Sequence, residues 1–81
     1  MIDLEKLKPL IKLIEAREER GLTQEQLAKL AGLSRPMLSH IERGASLPSL
    51  PVAFRIAKVL NRTIEQVFFS SNARKMSKKT A

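Results

Sequence analysis

Apolar residues recur three and four positions apart through the first 69 residues, and no segment sustains the period-two alternation of a half-buried strand. Glycine, asparagine, proline and hydroxyl residues cut this helical pattern into short pieces. The first predicted helix runs from about Pro9 to Arg20. Pro9 fits its first turn, where the missing N–H would have no intrahelical partner anyway, and Gly21 supplies a left-handed stop. Leu4 and Leu7 form an apolar lead-in. Thr23-Gln24-Glu25-Gln26 reads as a capping box, with Leu22 and Leu27 as its hydrophobic staple. This second helix ends at Ala31-Gly32, and only Leu33 separates that glycine from the next cap, Ser34. Leu33 and Leu38 repeat the staple around a third helix from Arg35 to about Arg43, stopped by Gly44. Ser49 caps a fourth helix with Pro51 in its first turn, an apolar stripe of Leu50, Ala53, Phe54, Ala57 and Leu60, and Asn61 as its left-handed exit. Thr63-Ile64-Glu65-Gln66 is a second capping box, opening a short fifth helix through Val67-Phe68-Phe69. The expected fold class is all-α, five short helices around one core spanning residues 1–69, with no internal repeat.

The segment from Gln24 to Arg43 is a helix, a very tight turn and a second helix. Ala28 is small where the following helix must cross closely. Gly32 stands where the chain reverses and a left-handed conformation is needed. Leu38 and Ile41 point inward and set a crossing near the ~90–120° of a helix-turn-helix. That geometry leaves the amino end of the helix Arg35–Arg43 free to enter a major groove.

Composition narrows the chemistry. The 81 residues suit one small domain, and 43% hydrophobic content supports a packed core. The sequence contains no cysteine, so no disulfide or thiolate zinc site is expected, and its single His lacks partners for a metal site. With three Phe and no Tyr or Trp, stacking on single-stranded nucleic acid is an unpromising main activity. No apolar run is long enough to span a bilayer, the charged start does not resemble a signal peptide, and there is no lipidation signal. The expected location is therefore cytoplasmic, with no membrane partner. The net charge is +7, but Arg74, Lys75, Lys78 and Lys79 of the tail 70–81 contribute four of it, leaving +3 for residues 1–69. That basic tail is expected to be disordered, as either a solvated terminus or an arm that tracks phosphates.

Several runs resemble the lambda-repressor/Cro-type helix-turn-helix regulators, the XRE family. They are Arg17-Glu18-Glu19-Arg20-Gly21-Leu22-Thr23-Gln24-Glu25-Gln26-Leu27-Ala28, Ala31-Gly32-Leu33-Ser34, Ile41-Glu42-Arg43-Gly44, Pro48-Ser49-Leu50 and Ile56-Ala57-Lys58-Val59-Leu60. The resemblance covers roughly residues 10–69 and implies a compact, lambda-repressor-like DNA-binding domain. It implies that Arg35, Pro36, Met37, Ser39 and His40 are at or beside base-facing positions. Thr23, Gln24, Arg43 and Ser46 match positions at the DNA backbone, with Gln24 also bracing the reading helix. Arg17 and Glu42 match a partly buried ion pair between the first and third helices. The chemistry agrees: Arg grips guanine O6 and N7, and a thioether methyl suits the thymine methyl. Each residue also has a plainer reading, with Arg35 merely solvated and Met37 and His40 merely packed or on the surface. Three positions depart from the family pattern. Pro36 removes a hydrogen-bonding side chain from the reading helix. Arg62 replaces an apolar staple residue, which leaves the fifth helix loosely docked or Arg62 directed at a partner. Ala16 replaces a common Leu, its space taken by Leu10, Leu13 and Ile14.

The expected function is a sequence-specific, double-stranded DNA-binding transcriptional regulator of a prokaryote or phage, associated with the nucleoid through DNA. A repressor-like homodimer reading a palindromic operator is expected, with Ile64, Val67, Phe68 and Phe69 as the dimer surface. The alternative is an antitoxin-type module that binds a toxin and regulates its own operon; a contact with the transcription machinery is a further partner reading. No nucleophile stands beside a base, and there is no glycine-rich phosphate loop or metal-ligand spacing. Neither an enzyme, a cofactor nor a small-molecule site is expected.

Overall fold

The computed structural model describes residues 8–69; the lead-in residues Leu4 and Leu7 and the basic tail 70–81 lie outside them. Five helices follow in order: α1 (Ile11–Glu19), α2 (Gln24–Ala31), α3 (Arg35–Arg43), α4 (Leu50–Val59) and α5 (Ile64–Phe68). No strand occurs among the described residues.

Local chemistry sets most of the boundaries. The hydroxyls of Thr23, Ser34, Ser49 and Thr63 accept bonds from the N–H groups of Gln26, Met37, Val52 and Gln66, three residues on. At Thr23 and Thr63 the box is complete, because the Gln26 and Gln66 carbonyl oxygens accept the cap residue's own N–H at 2.9 Å. Each such cap contributes about 0.5–2 kcal/mol. Gly21, Gly32, Gly44 and Asn61 all have positive φ, each just beyond or at a helix end.

One helix start differs from the sequence expectation. Pro9 precedes α1 instead of opening it, and Leu10 is its uncapped N-cap. The reason is long-range: the Leu10 N–H donates to the Glu42 carbonyl on α3 at 2.8 Å, which holds Leu10 out of helical geometry.

The core joins Leu13, Ala16, Leu27, Ala28, Ala31, Leu38, Ile41, Ile56, Ala57, Leu60 and Val67. α2 packs on α3 and α4, while α1 lies against α5 and α3. Ala16 is fully buried with Leu13, and Leu10 packs against the same cluster. The buried stripe of α4 is rotated from the one expected. It comprises Ala53, Ile56, Ala57 and Leu60, whereas Leu50 and Phe54 face outward, Phe54 at 68% exposure. Each residue turns about 100° around the axis, so Phe54 falls off the face that Ala53 and Ile56 share. Val67 also requires correction as a dimer-surface residue. It is only 2% exposed and belongs to the core, whereas Phe69 remains exposed. Arg62 neither loosens α5 nor stands free, because its guanidinium pairs with Glu19 and ties the α4–α5 turn to α1. Both partners are well exposed, so the pair contributes at most about 1 kcal/mol.

Candidate nucleic-acid interface

The α2–α3 turn is closed by backbone bonds, among them Leu33 N–H to the Ala28 carbonyl at 2.8 Å. Gly32 is left-handed at φ 76°, a conformation that costs other L-residues roughly 1–2 kcal/mol. From α4, Arg55 Nε donates to the Ala31 carbonyl at 2.8 Å and so caps the carboxyl end of α2. Arg55 has no motif signal; only the fold brings it 24 residues back along the chain.

The inner side of α3 is locked by a buried carboxylate. Glu42 is 2% exposed. It accepts from Arg17 Nε at 2.7 Å, Arg17 Nη2 at 3.3 Å and Gln24 Nε2 at 2.9 Å. Arg17 Nη1 also donates to the Leu22 carbonyl at 2.9 Å. One acidic side chain thereby joins α1, the amino end of α2 and the last turn of α3. Such a network defines where α3 sits, and its buried charge is tolerable only while its partners remain. A second lock lies at the end of α3, where Gly44 has φ 82° and the Lys8 backbone crosses it. A Cβ at Gly44 would overlap the Lys8 carbonyl oxygen and come within 3.0 Å of its carbon.

The outer side of α3 is open. Arg35, Pro36, Met37, His40 and Arg43 are exposed, and Ser39 is half-buried. Arg43 Nη2 donates to His40 Nδ1 at 3.3 Å, one turn apart on the helix surface. Thr23, Gln24 and Arg35 line a common cleft with Arg17, Glu18, Leu22 and Glu25. Backbone N–H groups at a helix start and a guanidinium suit a phosphate, while the two glutamates at the rim oppose a loosely placed anion. Ser46 is exposed in the loop after α3.

Sequence reasoning missed two further features. Leu47, in that same loop, is 95% exposed. It shares a concavity with Met37, His40, Ile41, Pro48 and Val52. Phe54, Ala57 and Ile64 form the apolar part of a groove between α4 and α5, rimmed by polar residues including Lys58 and Glu65. An apolar residue between Ser46 and Pro48, outside any helical period, was the one available signal for Leu47. Among the described residues, no group of three His, Asp or Glu side chains could hold a metal, and no helix is long and apolar enough to cross a membrane.

Comparison with known proteins shows the family and the fold. A family model described as Helix-turn-helix matches residues 13–67. An HTH-type transcriptional regulator of Archaeoglobus fulgidus is 44% identical over 54 residues, covering 67% of this chain and 77% of the relative. The ImmF control region 10 kDa protein of Bacillus phage phi105 is 46% identical over 61 residues, covering 75% of this chain and 66% of that protein. Among solved structures, the restriction-modification controller protein C.AhdI from Aeromonas hydrophila is similar with a TM-score of 0.67 and 37% identity. That match covers 70% of this chain and 86% of the controller. The biofilm master regulator SinR, solved in complex with DNA, is similar with a TM-score of 0.65 and 28% identity, covering 69% of this chain and 90% of that solved chain.

Proposed function

The chain belongs to the helix-turn-helix family of DNA-binding transcriptional regulators, and from that premise we propose that it works as a repressor-like homodimer whose two α3 helices read a palindromic operator. It acts by binding DNA and is not an enzyme. The observation that carries the reading is the division of α3 into two sides. Its inner side is fixed by the Arg17–Glu42–Gln24 network, while Arg35, Met37, His40 and Arg43 stand outward. In this reading Arg35 grips a guanine, and Pro36, Met37, Ser39 and His40 set the fit around it. Thr23, Gln24, Arg43 and Ser46 hold the sugar-phosphate backbone and fix the register.

Energetics favours two copies. One reading helix covers only a few base pairs, whereas two on half-sites about 34–36 Å apart reach useful affinity and specificity. The dimer surface we propose keeps Ile64, Phe68 and Phe69 from the sequence reading, drops the buried Val67 and adds Phe54, which lines the α4–α5 groove with Ile64. Burying exposed aromatic rings such as Phe54 supplies a large apolar contribution. The protein would act in the cytoplasm on prokaryotic or phage DNA.

Selection of bound duplexes from a random pool, followed by sizing of the complex, tests this reading. The expected product is a palindrome bound by two protein chains, with affinity that falls steeply as salt rises. Co-purification of a small stoichiometric partner would instead support the antitoxin reading, and no enrichment would count against operator reading altogether.

A further inference from the structure

Among the described residues the ion pairs are Lys12–Glu15, Arg17–Glu42 and Arg62–Glu19. Two charges beside the α4–α5 groove belong to none of them. Lys58 stands on the α4 side, in the last turn of that helix, and Glu65 on the α5 side, in the first turn. Arg62, the other charged residue lining the groove, is already held by Glu19. Lys58 and Glu65 are both exposed, and the apolar residues Phe54, Ala57 and Ile64 line the groove with them. Each charge sits where its own helix favours it, a cation at a carboxyl end and an anion at an amino end, so neither needs a partner for the fold. Their placement does restrict what can cover the hollow.

An isologous dimer brings the same patch of two copies together, so that one residue of the patch meets a second and that second meets the first. A two-fold axis through the apolar floor exchanges the α4 and α5 sides of the groove. We propose that this groove selects its partner by charge: Lys58 of each copy pairs with Glu65 of the other, and the two pairs fix the register in which Phe54 and Ile64 are buried. The pairing rests on the homodimer reading and adds to it the partner admitted, a second copy of this chain. A second copy is the occupant because a patch with opposite charges on its two sides is complementary to itself. A purely acidic or purely basic partner would satisfy one side and be repelled by the other. The apolar floor supplies affinity, while the charges at the rim decide which chain binds and in which orientation.

Sedimentation equilibrium of the full chain, at low salt and over a concentration series, gives the dimer constant of each variant. Lys58→Glu turns both pairs into like-charge contacts and should weaken the dimer by about ten-fold or more. Glu65→Lys should do the same. Mixed in equal amounts, the two variants should recover the parent's affinity, because the heterodimer restores an opposite pair on each side of the axis. The double variant Lys58→Glu with Glu65→Lys should dimerise with itself but not with the parent. Far-ultraviolet circular dichroism checks that each variant is folded. Should Glu65→Lys disturb the start of α5, Glu65→Gln added to Lys58→Glu gives a second route, since it removes the repulsion and should recover part of the loss. Single variants that dimerise as tightly as the parent would overturn the pairing. Folded variants that stay monomeric both alone and mixed would also overturn it, leaving the groove an interface with another register. A parent that stays monomeric both free and on the selected operator, or a Phe54→Glu chain that still dimerises, would instead refute the homodimer face itself.

Discussion

Replacing Arg17 with Met is the sharpest perturbation of the scaffold that holds α3. It removes two of the three donors to Glu42, at 2.7 and 3.3 Å, and the donor to the Leu22 carbonyl at 2.9 Å. Glu42 would then keep only Gln24, at 2.9 Å, on a carboxylate that is 2% exposed. Breaking a buried pair from one side costs about 3–5 kcal/mol, because the remaining charge is neither paired nor hydrated. A domain of this size has a total stability of roughly 4–12 kcal/mol at ~0.05–0.15 kcal/mol per residue, so the variant should lose from about a quarter to all of its stability at 25 °C. Urea titration followed by far-ultraviolet circular dichroism measures the loss as a lower midpoint with an unchanged slope. The double variant Arg17→Met with Glu42→Leu removes both charges and should recover most of the stability, as apolar replacements of buried pairs are often neutral or stabilising by ~1–4 kcal/mol. It should not recover sequence preference on DNA, since the tie from α1 and α2 to α3 is gone. A cost below about 1 kcal/mol for Arg17→Met would place the pair in the range of exposed ion pairs and rule out a buried lock on α3.

Three further outcomes follow from single contacts. Gly21 and Gly44 are both left-handed, but only Gly44 has the Lys8 backbone against it while Gly21 faces open space; Gly21→Asn should therefore be nearly neutral and Gly44→Asn strongly destabilising, and equal thermal shifts would remove the crowding argument. Phe54→Glu, at an exposed site, should leave the fold within ~0.5 kcal/mol yet reduce the mass in sedimentation equilibrium to that of one chain, and a persisting dimer would exclude the α4–α5 groove as the interface. Arg55→Met loses the cap on the Ala31 carbonyl, about 1 kcal/mol, and should lower Tm by roughly 4–8 °C; an unchanged Tm would mean that water replaces this bond at no cost.

What was legible in the sequence was local. Thr23, Ser34, Ser49 and Thr63 declare helix starts because each hydroxyl serves an N–H only three residues away. Gly32, Gly44 and Asn61 mark exits because only a few residue types tolerate positive φ. The rest depends on distant partners. Phe54 and Leu50 follow the same spacing as the true core of α4, and only the placement of α2 and α5 decides which stripe is buried. Pro9 suits a helix start in isolation, but the Leu10–Glu42 backbone bond delays α1 past it. Arg55 and Lys8 carry no local signature, since their importance comes from residues more than twenty positions away, and Leu47 offers only its place outside any helical period, because its surface exists only after folding. The Arg17–Glu42 pair was legible through family resemblance alone, because nothing near either residue in the chain announces the other.

Whether the outward side of α3 reads bases is decided at Arg35. Parent protein and Arg35→Ala are titrated against the selected operator and against random duplex of equal length, at one salt concentration. A bidentate guanine contact contributes about 1–3 kcal/mol of discrimination. Arg35→Ala should therefore lower the ratio of specific to random binding by roughly five-fold or more per half-site while binding to random DNA changes little. An equal loss on both duplexes would make Arg35 a phosphate contact and not a base reader.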